Sequence, residues 1–188
     1  YPATSTLLFS AIVVNGCSRI TDNNAGKSFG AQVSWVPVEG LTVIQNVLTG
    51  PEQANNVADR RTVWDAVIAW QASKSLSFNV NYDYGYETVS GSQAIWTGIA
   101  FMSRYTLDDR FAIAVRGEMF SDRSGLQTGT AQDLKEVTLT GEWRAFPQLL
   151  LRAELRRDWS SGDVFEGPAS SAMRTAQQTF AISTVFEF

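Results

Sequence analysis

The sequence predicts an all-β fold: an antiparallel transmembrane β-barrel meander of about ten strands, standing alone or as part of a larger barrel. Three observations predict it. Apolar and polar residues alternate with period two through segments near the about 9–11 residues that cross a bilayer with tilt. Short turns alternate with long polar loops along the chain. Aromatic residues gather near both ends of the apolar face.

The strands follow in order. Segment 6–14 opens the series, and 28–35 sets Phe29, Ala31, Val33 and Trp35 against Ser28, Gly30, Gln32 and Ser34. Segments 41–48 and 63–71 repeat the pattern more weakly. In 76–84, Leu76, Phe78, Val80, Tyr82 and Tyr84 oppose Ser77, Asn79, Asn81 and Asp83, a separation no 3.6-residue period produces. Segments 92–104 and 111–120 are weaker members. Segment 136–144 opposes Val137, Leu139, Gly141 and Trp143 to Glu136, Thr138, Thr140, Glu142 and Arg144. Segment 149–159 places Arg152, Glu154, Arg156 and Asp158 against Leu149, Leu151, Ala153 and Leu155, and 177–188 closes the series.

Short connections are expected at 37–40, 72–75, 107–110 and 146–148, and long ones, rich in Gly, Asn, Ser, Asp and Thr, at 16–27, 50–60, 85–91, 122–133 and 160–175. Strict alternation puts all turns at one end and all long loops at the other, as in outer-membrane barrels with short periplasmic turns and long outer loops. A soluble sandwich would mix the lengths through Greek-key connections and turn its charges outward.

Composition narrows the function. A chain of 188 residues fits one domain, 1–188, either a whole barrel or the C-terminal portion of one. Charged residues are 18%, below the usual ~25% of soluble domains. A net charge of −4 without basic clustering gives no electrostatic case for nucleic acid. The absence of His removes imidazole bases, triads and ligands. One cysteine, Cys17, forms neither an intrachain disulfide nor a zinc site and reads as structural or incidental. The run Thr21-Asp22-Asn23-Asn24 has side-chain oxygens but too few carboxylates for a cation site, and reads as Asx turns and caps. No cofactor and no metal are expected.

The two faces differ in chemistry. Trp35, Trp70, Tyr105 and Trp143 lie near short-turn ends and Trp64, Tyr84 and Trp159 near long-loop ends, as expected of two interfacial aromatic belts against outer-membrane lipids. The other face carries Asn79, Asn81, Asp83, Arg104, Arg116, Glu118, Glu136, Glu142, Arg144, Arg152, Glu154, Arg156 and Asp158. Burying so many charges in a dry core costs several kcal/mol each, which a water-filled lumen avoids. These residues are the expected lumen lining, as a ladder of cross-strand ion pairs or as a charged constriction that selects solutes. Phe180, Ile182, Thr184, Phe186 and Phe188 alternate up to a terminal Phe, which looks like the signal by which barrel-assembly machinery recognises its clients.

Several stretches resemble one family, the β-barrel porins of the OmpL-like (porin-2) type of Gram-negative envelopes. They are Val14-Asn15-Gly16 with Thr21-Asp22-Asn23-Asn24 and Gly26-Lys27, Thr49-Gly50-Pro51-Glu52-Gln53, Asn81-Tyr82-Asp83-Tyr84-Gly85, Leu134-Lys135-Glu136-Val137-Thr138-Leu139, and Arg157-Asp158-Trp159 with Asp163-Val164-Phe165. The resemblance implies an outer-membrane channel without catalytic residues; family members look longer, with further strands upstream. The expected function is a porin for passive diffusion of small hydrophilic solutes in the bacterial outer membrane, and not an enzyme. Two rivals stand beside it. One is a structural or ligand-binding barrel with a plugged lumen and partner-binding loops. The other is a membrane-anchored enzyme, which would need a Ser/Lys site or paired carboxylates such as Glu118 and Glu142. The sequence leaves the oligomeric state open.

Overall fold

The computed structural model describes residues 1–17, 23–167 and 172–187. Thr21 and Asp22 of the polar run, and the terminal Phe188 of the expected assembly signal, lie outside these residues. Ten strands form one antiparallel sheet in chain order: β1 Leu7–Val14, β2 Ser28–Val38, β3 Leu41–Gly50, β4 Arg61–Gln71, β5 Leu76–Val89, β6 Ser92–Thr106, β7 Phe111–Asp122, β8 Gln132–Phe146, β9 Leu149–Ser160 and β12 Ala176–Phe186. A short hairpin, β10 Phe165–Glu166 with β11 Met173–Arg174, folds within the last long loop, where the sequence suggested none.

Every expected strand is present, and each pairs with its sequence neighbour. The chain is therefore an all-β meander, as the alternation predicted. Turns at 72–75 and 107–110 fall where expected, closed by Ser73 Oγ, which accepts from the amides of Ser75 and Leu76, and by Asp108, which accepts from those of Arg110 and Phe111. Pro37, expected in a turn, instead sits in the last residues of β2. The register there shifts between Trp35 and Val38, a bulge that accommodates a residue with no N–H to donate.

One connection departs from the expected alternation. The segment 85–91 is not a long loop: β5 runs to Val89 and β6 starts at Ser92, joined by Ser90-Gly91 with φ of 51° and 80°. Two consecutive positive φ values are the signature of a type I′ hairpin, whose twist matches that of the strands. Gly85 suggested a breaker, but it lies within β5 opposite Trp96.

The sheet does not close on itself: among the described residues β1 and β12 do not pair with each other. Residues 1–2 turn back along β1. Tyr1 and Phe9 exchange hydrogen bonds, Tyr1 N to Phe9 O at 2.6 Å and Phe9 N to Tyr1 O at 2.9 Å, and Pro2 forms a bridge with Leu8.

Burial is inverted relative to a soluble protein. Glu87, Asp122, Glu136, Glu142 and Asp158 are buried, whereas Leu155, Phe180, Ile182 and Phe186 are 60–70% exposed. Charged groups are ordinarily the last to be buried in water-soluble folds. An apolar surface of this extent belongs to a protein that meets another apolar phase.

Candidate functional site

The register places all the expected lumen residues on one face. Asn79, Asn81 and Asp83 on β5 share it with Arg104 on β6, Arg116 and Glu118 on β7, Glu142 and Arg144 on β8, and Arg152, Glu154, Arg156 and Asp158 on β9. Three clusters form there. Glu142 accepts from Arg104 at 2.7 Å and from Arg152 at 3.0 Å. Arg104 reaches across β7 because the intervening residues on that face, Ala112 and Ala114, are small. Arg116 pairs with both Glu118 and Glu136, two carboxylates directly opposite each other across β7 and β8. Directly opposed like charges destabilise a sheet, and the guanidinium between them offsets this. Arg156 pairs with Asp158 at 2.7 Å, and Gln177 donates to the same carboxylate at 3.0 Å.

The remaining polar residues are more dispersed. Glu154 accepts from Thr140 Oγ1 at 3.2 Å. Arg144 lies at the short-turn end, donating to Pro147 O and pairing with Glu187 at 3.3 Å. Asn81 donates to Asp65 on β4, which also accepts from Asn46 on β3. Asp83 lies directly opposite Asp65 and interacts with that carboxylate.

Sequence reading missed Asp65, Arg61, Glu87, Trp96 and Asp122 on this face. Arg61 and Glu87 pair at 2.6 Å with Glu87 fully buried, and the Arg61 guanidinium lies 5.7 Å from the centre of the Trp96 ring. Glu87 fell in the supposed loop 85–91. Asp65 was obscured because its face neighbours on β4, Val63 and Val67, are apolar. The available signal was the parity of Arg61 and Glu87 with the polar positions of their own strands.

Asp122 ends β7, one residue beyond the row holding Trp64 and Tyr84, and organises the loop 123–131. Its carboxylate accepts from the amides of Leu126, Gln127 and Thr128 at 2.8–3.1 Å and from Thr128 Oγ1 at 3.0 Å. Burial alone would raise its pKa, but these donors outweigh it and hold the pKa below the ordinary carboxylate value. A depressed pKa stabilises above the unfolded value of about 3.9 and loses that contribution as pH falls through the lower folded value. Hydrogen exchange at the Gln127 and Thr128 amides is therefore expected to stay slow at pH 5 and to accelerate only well below pH 4. Asp122→Ala should expose them at neutral pH, removing about 1–3 kcal/mol of local order.

The opposite face carries Trp35, Trp64, Trp70, Tyr84, Tyr105, Trp143 and Trp159. Trp64 Nε1 donates to Gln45 Oε1 at 3.0 Å, so its polar edge is satisfied while the ring stays exposed. Trp143 stacks on Phe111 with ring centres 6.5 Å apart. Phe180, Ile182 and Phe186 lie on this face of β12. Among the described residues, no group of three or more Cys, Asp or Glu side chains could hold a metal ion.

A neighbour-to-neighbour antiparallel meander with a charged, buried face and an exposed apolar face defines the wall of an outer-membrane β-barrel. The chain belongs to the family described as "Putative beta-barrel porin-2, OmpL-like", which matches residues 1–188, and is accordingly placed in the bacterial outer membrane. Among solved structures it is similar to a loop L8 deletion mutant of OmpT, an outer membrane protein of Vibrio cholerae, at 12% identity and a TM-score of 0.57. The match covers 95% of this chain and 62% of that one, so the chain spans about three fifths of the length of that barrel. Comparison with curated protein sequences gives no match.

Proposed function

We propose that this chain forms much of the wall of an outer-membrane porin through which small hydrophilic solutes diffuse passively, with the charged face lining the lumen. The observation that carries this reading is the inverted burial: a face of ion-paired arginines and carboxylates turned away from an exposed apolar face. Only an aqueous lumen gives that many charges solvent without placing them in hydrocarbon. The apolar face meets outer-membrane lipid, with the aromatic rows as its interfacial belts, and β12 presents Phe180, Ile182 and Phe186 to the assembly machinery.

In the membrane the wall closes either by β1 meeting β12 or through further strands. Free edges at β1 and β12 present unpaired backbone groups, which are not tolerated in lipid. Residues 1–2 cover part of the β1 edge by antiparallel pairing with Leu8 and Phe9. A larger circumference also gives a wider bore.

The lumen face of the strands carries nine carboxylates (Asp65, Asp83, Glu87, Glu118, Asp122, Glu136, Glu142, Glu154, Asp158) against six arginines (Arg61, Arg104, Arg116, Arg144, Arg152, Arg156). This excess predicts a preference for cations. In planar bilayers the protein should open stable conductances with a potassium-to-chloride permeability ratio above one. Asp65→Asn with Asp83→Asn should lower that ratio without closing the channel. Absence of conductance from folded protein would replace the porin reading with that of a plugged barrel acting through its loops.

A further inference from the structure

On the strands of the ten-stranded sheet, the apolar face holds just three charged residues among those described: Asp133, Lys135 and Arg157, all on β8 and β9 near the long-loop end. An isolated cation there must reach the interface or find an anion. Neither Lys135 nor Arg157 makes an ion pair among the described residues; Arg157 lies 5.3 Å from the centre of the Trp159 ring. Exposed Arg123, just beyond β7, likewise lacks an ion pair there.

Next to these cations the surface is grooved. Gly117 faces outward between Phe101 and Val137, and a Cβ placed there would meet nothing closer than Glu136 O at 3.9 Å. A groove of about 670 Å³ lies over it, walled by Ile99, Phe101, Met119 and Val137 and ending at Lys135 and Trp159. A second groove of about 500 Å³ shares Lys135 and Trp159 and continues loopward past Ser121, Arg123 and Asp133. An apolar channel thus leads up to a basic mouth.

We propose that this surface binds a phosphorylated, acylated glycolipid of the outer leaflet, its phosphate between Lys135, Arg123 and Arg157 and an acyl chain along Gly117. Arg157 lines an adjoining recess with Asp163 and Arg174, so four cations, Arg123, Lys135, Arg157 and Arg174, stand against the two carboxylates of Asp133 and Asp163, an excess that favours a phosphate, to which arginine also donates with good geometry. Position in the bilayer selects the lipid: the long loops emerge at this end, the extracellular side of outer-membrane barrels, where the glycolipid leaflet lies. The site rests on outer-membrane placement and orientation, not on an open lumen, so a conductance result leaves it standing.

The test is native mass spectrometry of the folded protein, extracted from outer membranes in mild detergent and challenged with excess phosphatidylglycerol. One retained glycolipid per chain is expected. Lys135→Glu with Arg157→Glu should reduce its occupancy at least tenfold, and Gly117→Phe, which fills the groove and leaves the charges intact, should do the same. Heat-modifiable mobility on gels confirms that each variant is folded; should a variant fail to fold, the wild-type measurement decides by itself. Wild-type protein carrying no glycolipid, exchanging it freely for phosphatidylglycerol, or matched in occupancy by the folded variants overturns the proposal.

Discussion

Leu139→Arg is expected to destabilise the folded protein by about 2–4 kcal/mol, the cost of an arginine on the lipid face of a barrel near mid-depth. The same substitution one residue along, Thr140→Arg, should cost less than about 1 kcal/mol. The asymmetry follows from register. Leu139 sits between Val115 and Leu155 on the apolar face, halfway along β8. Thr140 faces the opposite way and donates to Glu154, so an arginine there gains a carboxylate and water together. Urea unfolding from lipid vesicles measures both. Equal costs would mean that the two faces meet the same medium, and a larger cost at Thr140 would reverse the assignment of lumen and lipid.

This contrast rests on the part of the fold most legible in the sequence. In 149–159, Arg152, Glu154, Arg156 and Asp158 alternate with residues that are apolar except for Arg157, so a slip of one residue would invert the face, and the structure keeps the parity. Partner choice was not legible. Glu142 bridges Arg104 and Arg152 from two different strands, which depends on the lengths of four strands and three connections and on two alanines between them. Nor could alternation reveal that Glu118 and Glu136 face each other, because only the register of β7 against β8 brings them together. The open edges at β1 and β12 were equally hidden, since strand pattern carries no information about which strand lies alongside the first or last.

Glycine is where sequence reading went furthest astray, and there the largest packing effect is expected. Gly85 suggested a loop, yet its missing side chain is a seat: a Cβ would penetrate the indole of Trp96, which lies over it and is 6% exposed. The indole in turn underlies the Arg61 guanidinium, paired with buried Glu87, so one backbone position supports three side chains at the loop end of the charged face. Gly85→Ala forces the ring out of this arrangement and should cost about 1–3 kcal/mol, as overpacking does. Gly117→Ala is the matched control, since the space above it is open and alanine in a strand interior is favoured over glycine by roughly 0.5–1 kcal/mol. Thermal unfolding should therefore fall for the first variant and hold or rise for the second. Displacement of Trp96 should also alter tryptophan emission and, on the proposed porin reading, change the conductance because Arg61 moves with the ring. A Gly85→Ala protein as stable as the wild type, with unchanged emission, would show that Trp96 does not rest on Gly85 and that the loop end of the charged face is built differently.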